Sequence, residues 1–252
     1  MKTLYFSATG NNLYIAKKLG GELLSIPQLI KNNQYEIEDD VVGIVFPVFY
    51  ANSPKLVREF LKKVKINADY IFTIASYGSN GDQNALRLMK KALNDRGMKV
   101  KYSNSVLMID NYLPMFDIEK EKEIKKDLDI DGSIENIRRD IESRKEFIFK
   151  KKHFTNVPFI EKVLESTMTK RFHVQVDDGC INCKICTQVC PRGNIRIIEE
   201  KPVLGDNCEF CLACVHHCKK NVLNTNKEFN KERYINPNIK LSEIIESNSI
   251  LD

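Results

Sequence analysis

Eight cysteines are the residues best suited to chemistry in this chain of 252 amino acids, and they occur as two runs. Cys180, Cys183, Cys186 and Cys190 form the first, and Cys208, Cys211, Cys214 and Cys218 repeat its gaps of two, two and three residues. In a reducing compartment such clusters are metal ligands rather than disulfides. Structural zinc takes its ligands as separated pairs. Here three thiols share one tight loop and a fourth follows closely, expected at the start of a helix. A second stretch with chemical promise is Ser7-Ala8-Thr9-Gly10-Asn11-Asn12, rich in hydroxyls and backbone N–H groups. Where such a loop opens a helix, the unpaired N–H groups and the helix dipole favour a phosphate. A plain helix cap made by Thr9 or Asn11 would use the same residue types.

The run C-x2-C-x2-C-x3-C, followed by Pro191, is the one that holds 4Fe–4S clusters. Residues from about 171 to 224 therefore resemble the two-cluster bacterial ferredoxin domain. In that family the ligands cross over. The resemblance implies one 4Fe–4S cluster on Cys180, Cys183, Cys186 and Cys218, and a second on Cys208, Cys211, Cys214 and Cys190. Lys219 stands where a second proline is common. Around the runs, "FHVQV" from Phe172 alternates like a strand, "IRII" and "KPVL" read as a hairpin, and "NVL" from Asn221 as a closing strand. Ile181, Ile185 and Leu212 are expected to keep water from the sulfurs, and His216 and His217 to be surface helix residues.

The elements that must position the polar loop come before the thiols. "KTLYF" reads as a strand, residues 7–12 as a turn, and "LYIAKKLGG" as a helix ended by Gly20 and Gly21. "DVVGIVFPVFY" from Asp40, "YIFTIAS" from Tyr70 and "VKYSNSVLMID" from Val100 read as further buried strands. The helical segments "SPKLVREFLKKV" and "QNALRLMKKALNDRG" separate them. Strands alternating with helices predict an α/β fold, a doubly wound parallel sheet that binds ligands at its strand ends. The pattern resembles flavodoxin, whose phosphate loop is matched at Ser7, Thr9 and Gly10, with Asn12 in place of a final threonine. That resemblance implies FMN, bound by Ser7, Thr9, Gly10, Asn11 and Asn12. It implies two ring-clasping loops containing Pro47, Val48, Phe49 and Tyr50, and Ser76, Tyr77, Gly78 and Gly81. Asn111 and Tyr112, after the last of these strands, are expected to reach the same pocket.

The whole chain thus resembles a flavodoxin–ferredoxin fusion, a flavodoxin-like sheet with a second, smaller α+β ferredoxin-like domain. The expected boundaries are 1–152 for the flavin domain, 153–170 for a linker with a short helix, 171–224 for the cluster domain and 225–252 for a polar tail. Ile134, Ile137, Ile141 and Phe147 show the spacing of a last helix of the first domain. The formal charge of +5 arises from interspersed Lys, Arg, Asp and Glu, which argues for solvated faces rather than nucleic-acid binding. No segment has the ~20 apolar residues of a spanning helix, so a cytoplasmic protein is expected. The resemblance implies an electron-transfer flavoprotein exchanging electrons with ferredoxin-type partner proteins. Two alternatives remain open: an FMN-dependent reductase of a small molecule or quinone, and a protein whose clusters are structural.

Overall fold

The computed structural model describes residues 1–148 and 160–250, so the expected boundary at 152 and the first residue of the linker helix lie outside the described residues. The N-terminal unit runs β1 (Lys2–Tyr5), α1 (Asn11–Leu19), β2 (Glu22–Ser25), α2 (Ile26–Lys31), β3 (Glu36–Glu38) and β4 (Val41–Pro47). It continues through α3 (Lys55–Leu61), β5 (Lys65–Asn67), β6 (Tyr70–Tyr77), α4 (Asp82–Asn94) and β7 (Val100–Leu107). It closes with α5 (Ile118–Ile124), α6 (Ile130–Glu142) and β8 (Phe147–Ile148). The main sheet has the order β2-β1-β4-β6-β7-β8, and every pairing in it is parallel. Its first five strands follow the doubly wound, flavodoxin-like order, which reverses direction between β1 and β4.

Both faces of the sheet are covered, as its continuous apolar strands require. Phe6, Ile44, Phe46, Phe60 and Ile71 are fully buried on one side. Tyr5, Val45, Ile74, Tyr102, Ile134 and Ile137 form the other. The second cluster does not stop at the sheet. It continues through Leu113, Phe172, Ile185, Leu212, Leu223, Tyr234 and Ile244, so the C-terminal unit shares a core with the first.

That unit comprises α7 (Ile160–Arg171), β9 (Val174–Val176), α8 (Ile185–Gln188), β10 (Ile195–Ile198), β11 (Lys201–Leu204), α9 (Ala213–His216), β12 (Leu223–Thr225) and α10 (Leu241–Asn248). The expected hairpin is β10 with β11, and the closing strand β12 pairs antiparallel with β9.

Five expectations need correction. Phe147 belongs to a strand, not to the preceding helix. α6 ends where Arg144 adopts φ +53°, with Lys145 N bonded to Asp140 O and Arg144 N to Ile141 O, both at 2.9 Å. This is a Schellman stop with arginine in the place glycine usually takes. Cys190 and Cys218 lie just past the ends of α8 and α9 rather than at helix starts, because the third cysteine of each run already opens the helix. His216 and His217 are buried, at 2% and 4% exposure, whereas Ile181 is 53% exposed. Finally, residues after 225 do not trail off. They cross back over the N-terminal unit, and α10 packs against α2 and α8.

Candidate functional site

The two cysteine runs fold alike. Asn182 and Lys184 in the first have φ of +52° and +59°, and their counterparts Phe210 and Leu212 have +51° and +60°. Left-handed backbone costs a non-glycine residue roughly 1–2 kcal/mol, so two strained positions repeated in register mark a functional constraint. The strain curls each loop inward. Asn182 N and Phe210 N then donate to the sulfurs of Cys180 and Cys208 at 3.4 and 3.3 Å, and Asn194 N donates to Cys190 at 3.3 Å. The same turn follows Pro191 and Lys219, so the missing second proline changes nothing locally.

The thiols surround two small cavities, sorted between the runs. One is lined by Cys180, Cys183, Cys186 and Cys218, the other by Cys190, Cys208, Cys211 and Cys214. Among the described residues no three His, Cys, Asp or Glu side chains converge as ligands of a single ion would. Burial raises the thiol pKa of Cys186 to about 11 and pushes Cys211 and Cys214 up as well. Neutral thiols gain nothing from such a ring, whereas thiolates bound to iron would be neutralised there.

A larger cavity of about 300 Å³ lies at the C-terminal ends of β1, β4, β6 and β7, between the two units. Every residue expected to line it does so, Asn111 and Tyr112 included, except Gly10 and Gly81. Gly10 has φ +100°, and a Cβ there would stand 2.9 Å from that of Asn236. Its space is taken by the returning C-terminal segment. Gly81, at φ +90°, precedes α4 and lies against Ala51.

The polar end of the cavity is built to donate. Among the described residues no Lys, Arg or His lines it. The Ser7 hydroxyl oxygen accepts from Gly10 N at 3.1 Å, and the Thr9 oxygen accepts from Asn111 Nδ2 at 2.7 Å. With those lone pairs occupied, both O–H groups remain as donors. Asn11 Oδ1 accepts from Tyr234 OH at 2.8 Å and from Asn236 Nδ2 at 3.1 Å, which leaves its NH2 for a ligand. Asn12 is 2% exposed, and its Oδ1 has no hydrogen-bond partner among the described residues. Turned over, that amide presents another NH2. A neutral set of donors at the start of α1 fits a phosphate.

The apolar end is aromatic and partly strained. Tyr50 and Ala51 have φ of +53° and +59° at the tip of a tight hairpin closed by Phe49 N to Asn52 O at 2.8 Å and the reverse at 2.9 Å. That conformation usually calls for Asn-Gly. Tyr112 makes edge contacts with Tyr50, Phe172 and Phe210 at centroid distances of 6.0, 6.2 and 5.9 Å. The buried hydroxyls of Tyr50 and Tyr112 interact with each other but make no well-formed hydrogen bond among the described residues, and burial raises both pKa values.

Sequence reasoning missed the wall contributed by Asp110, Leu164, Met168, Phe210, Cys211 and Leu212. Cys211 lines both this cavity and the adjoining thiol ring. Several ties hold the units in this relation, among them three beside the cavity. Glu209 accepts from Leu56 N at the start of α3 at 3.1 Å and pairs with Arg192 at 2.6 Å, and Arg192 also reaches Glu59 at 2.6 Å. Arg58 pairs with Glu165 at 2.8 Å. His216 Nδ1 accepts from Tyr234 N at 3.2 Å, so Nε2 carries the proton and donates to Asn111 O at 2.9 Å. Burial lowers the pKa of His216 to about 3, which keeps the ring neutral.

Residues 173–219 match the family model of the 4Fe–4S dicluster domain. A search of curated proteins gave no match. Among solved structures, the chain is similar to a flavodoxin from the domain Archaea, at 16% identity over 54% of this chain and 99% of that one, with a TM-score of 0.31. It is also similar to rubredoxin oxygen:oxidoreductase from the anaerobe Desulfovibrio gigas, at 11% identity over 57% and 36% of the chains, with a TM-score of 0.36. A flavone reductase matches at 13% identity over 83% and 82%, with a TM-score of 0.32. Likenesses of that size carry no functional weight. No helix among the described residues is long and apolar enough to cross a membrane.

Proposed function

We propose that the protein is an electron-transfer flavo-iron–sulfur protein that binds FMN in the cavity between its units and one 4Fe–4S cluster in each thiol ring. One observation carries the reading: Cys211 belongs at once to a thiol ring and to the cavity wall. When bound, such clusters exchange single electrons, and the flavin accepts one or two. The chain supplies position and dryness. Cys190, Cys208, Cys211 and Cys214 would hold the cluster beside the flavin. Cys180, Cys183, Cys186 and Cys218 would hold the outer one, whose exposed Cys183 would face a redox partner; Cys208 of the inner ring is exposed as well. Ser7, Thr9, Asn11 and Asn12 would hold the phosphate, while residues 47–50, 76–78 and Tyr112 would enclose the ring. Val189, Leu212 and Ile185, all buried, keep water from the sulfurs and so help set their potential.

The test is cofactor content after anaerobic purification. About eight irons and eight acid-labile sulfides per chain are expected, with one FMN released on denaturation. Stoichiometric zinc without sulfide would sink the cluster assignment. Failure to bind flavin, as isolated or on titration, would sink the pocket assignment.

A second reading, reduction of a small apolar acceptor at the flavin, is favoured by the apolar rim that Met115, Phe116, Leu164 and Met168 give the cavity. Steady turnover of one acceptor well above a free-FMN control would select it.

A further inference from the structure

The segment after β12 bonds closely to the polar loop of the cavity. Its backbone bonds directly to the polar loop, with Asn236 N donating to Thr9 O at 2.8 Å. Its side chains do the same. Tyr234 OH and Asn236 Nδ2 both donate to Asn11 Oδ1, and Asn248 Nδ2 donates to Ser7 O at 2.9 Å. Ile239 and Asn236 lie against the bare Cα of Gly10. Farther along, Ser247 bonds Tyr5 OH at 2.7 Å and accepts from Ser25. Tyr234, Asn236 and Asn248 are 6%, 3% and 0% exposed, so these bonds are shielded from water and each is costly to lose.

We propose that residues 234–248 are a strap that completes the phosphate subsite, with Tyr234 and Asn236 as positioning residues that hold Asn11 with its NH2 turned to the ligand. An amide has one carbonyl oxygen and one NH2. Two donors on the oxygen exclude the flipped orientation, in which the acceptor would face the anion. Neither Tyr234 nor Asn236 lines the cavity; they act through Asn11. The ligand class is a phosphate monoester, the end of FMN that riboflavin lacks. The strap is anchored on the thiol-bearing unit as well. Tyr234 N donates to His216, between Cys214 and Cys218, and Asn248 Nδ2 reaches Val189 O at 3.4 Å, beside Cys190. Phosphate binding and the seating of the C-terminal unit thus share one network.

The inference rests on the FMN reading, and the experiment separates the two. Full-length Tyr234→Phe and Asn236→Ala, with clusters retained and flavin removed, are titrated with FMN and with riboflavin by quenching of flavin fluorescence. Each variant is expected to lose about tenfold in FMN affinity, the worth of one charge-assisted bond, while riboflavin affinity stays within about twofold of wild type. Parallel loss of both ligands, or loss of neither, overturns the strap. Wild-type protein that binds FMN no better than riboflavin overturns the phosphate assignment itself, and the strap with it. If Asn236→Ala does not fold, Tyr234→Phe, which deletes one oxygen, decides the matter alone.

Discussion

Asp110 shows how much a single side chain in the cavity wall can matter. It follows the end of β7, lines the cavity, and is half-buried, and this loss of solvent raises its pKa to about 6; Tyr112 N donates to it, while Glu121 opposes and Lys125 favours its charge. Its folded-state pKa lies above the unfolded value. The stability it contributes is therefore fully present below the ordinary carboxylate range and is lost as pH rises through about 6. Above that, the fold carries an unwelcome charge worth up to about 3 kcal/mol. Asp110→Asn keeps an acceptor for Tyr112 N and removes the charge. It should raise the melting temperature at pH 8 by several degrees and have little effect at pH 4.5; a difference that does not vary with pH would refute this. Nothing in the sequence flags Asp110, because an aspartate after a strand is ordinary. The cysteines and the hydroxyl loop were legible because their types and spacing are rare without a ligand. His216 was not, since one of its two ring partners, Asn111, stands more than a hundred positions away and the other, Tyr234, lies beyond the cysteine runs.

At the level of elements, the sheet strands were legible because each is a continuous apolar run, and the intervening helices because their apolar residues recur at helical spacing. β2 was missed because four residues give no period, and the α6 stop was missed because Arg144 takes a conformation that normally advertises itself as glycine. The curled cysteine loops show the reverse. Their spacing predicted a shape, and the paired positive φ values at the third and fifth residues of each run are its backbone cause. Helix α3 depends on another unit for its start. It has no capping side chain of its own; Glu209, from the second cysteine run, bonds Leu56 N instead. Glu209 is 3% exposed where it meets Arg192. Glu209→Ala should leave Arg192 poorly paired and the helix uncapped, and cost about 3–5 kcal/mol, as breaking a buried ion pair does. Chemical denaturation of the cluster-loaded protein measures it. A loss below about 1 kcal/mol would mean that the contact is solvated and the units are held elsewhere.

At the scale of the whole molecule, the two units are not beads on a string. They share an apolar cluster, a cavity wall and a strap, so a fragment that stops before the cysteines would lose Phe210, Cys211 and Leu212 from the cavity and Tyr234 and Asn236 from its loop. The electron path is therefore best tested in the full chain, one thiol at a time. Cys214 belongs to the ring that adjoins the cavity and Cys183 to the outer ring. With a low-potential one-electron donor in stopped flow, flavin reduction in the intact protein should be first order and independent of protein concentration, because the encounter is intramolecular. Cys183→Ser should slow it while leaving that order unchanged. Cys214→Ser should remove the adjoining cluster and leave only direct, bimolecular reduction of the flavin, with a rate proportional to donor concentration. Flavin content and circular dichroism establish that each variant is folded and loaded. Equal rates in all three proteins would show that the thiol rings lie off the path and that their role is to brace the cavity.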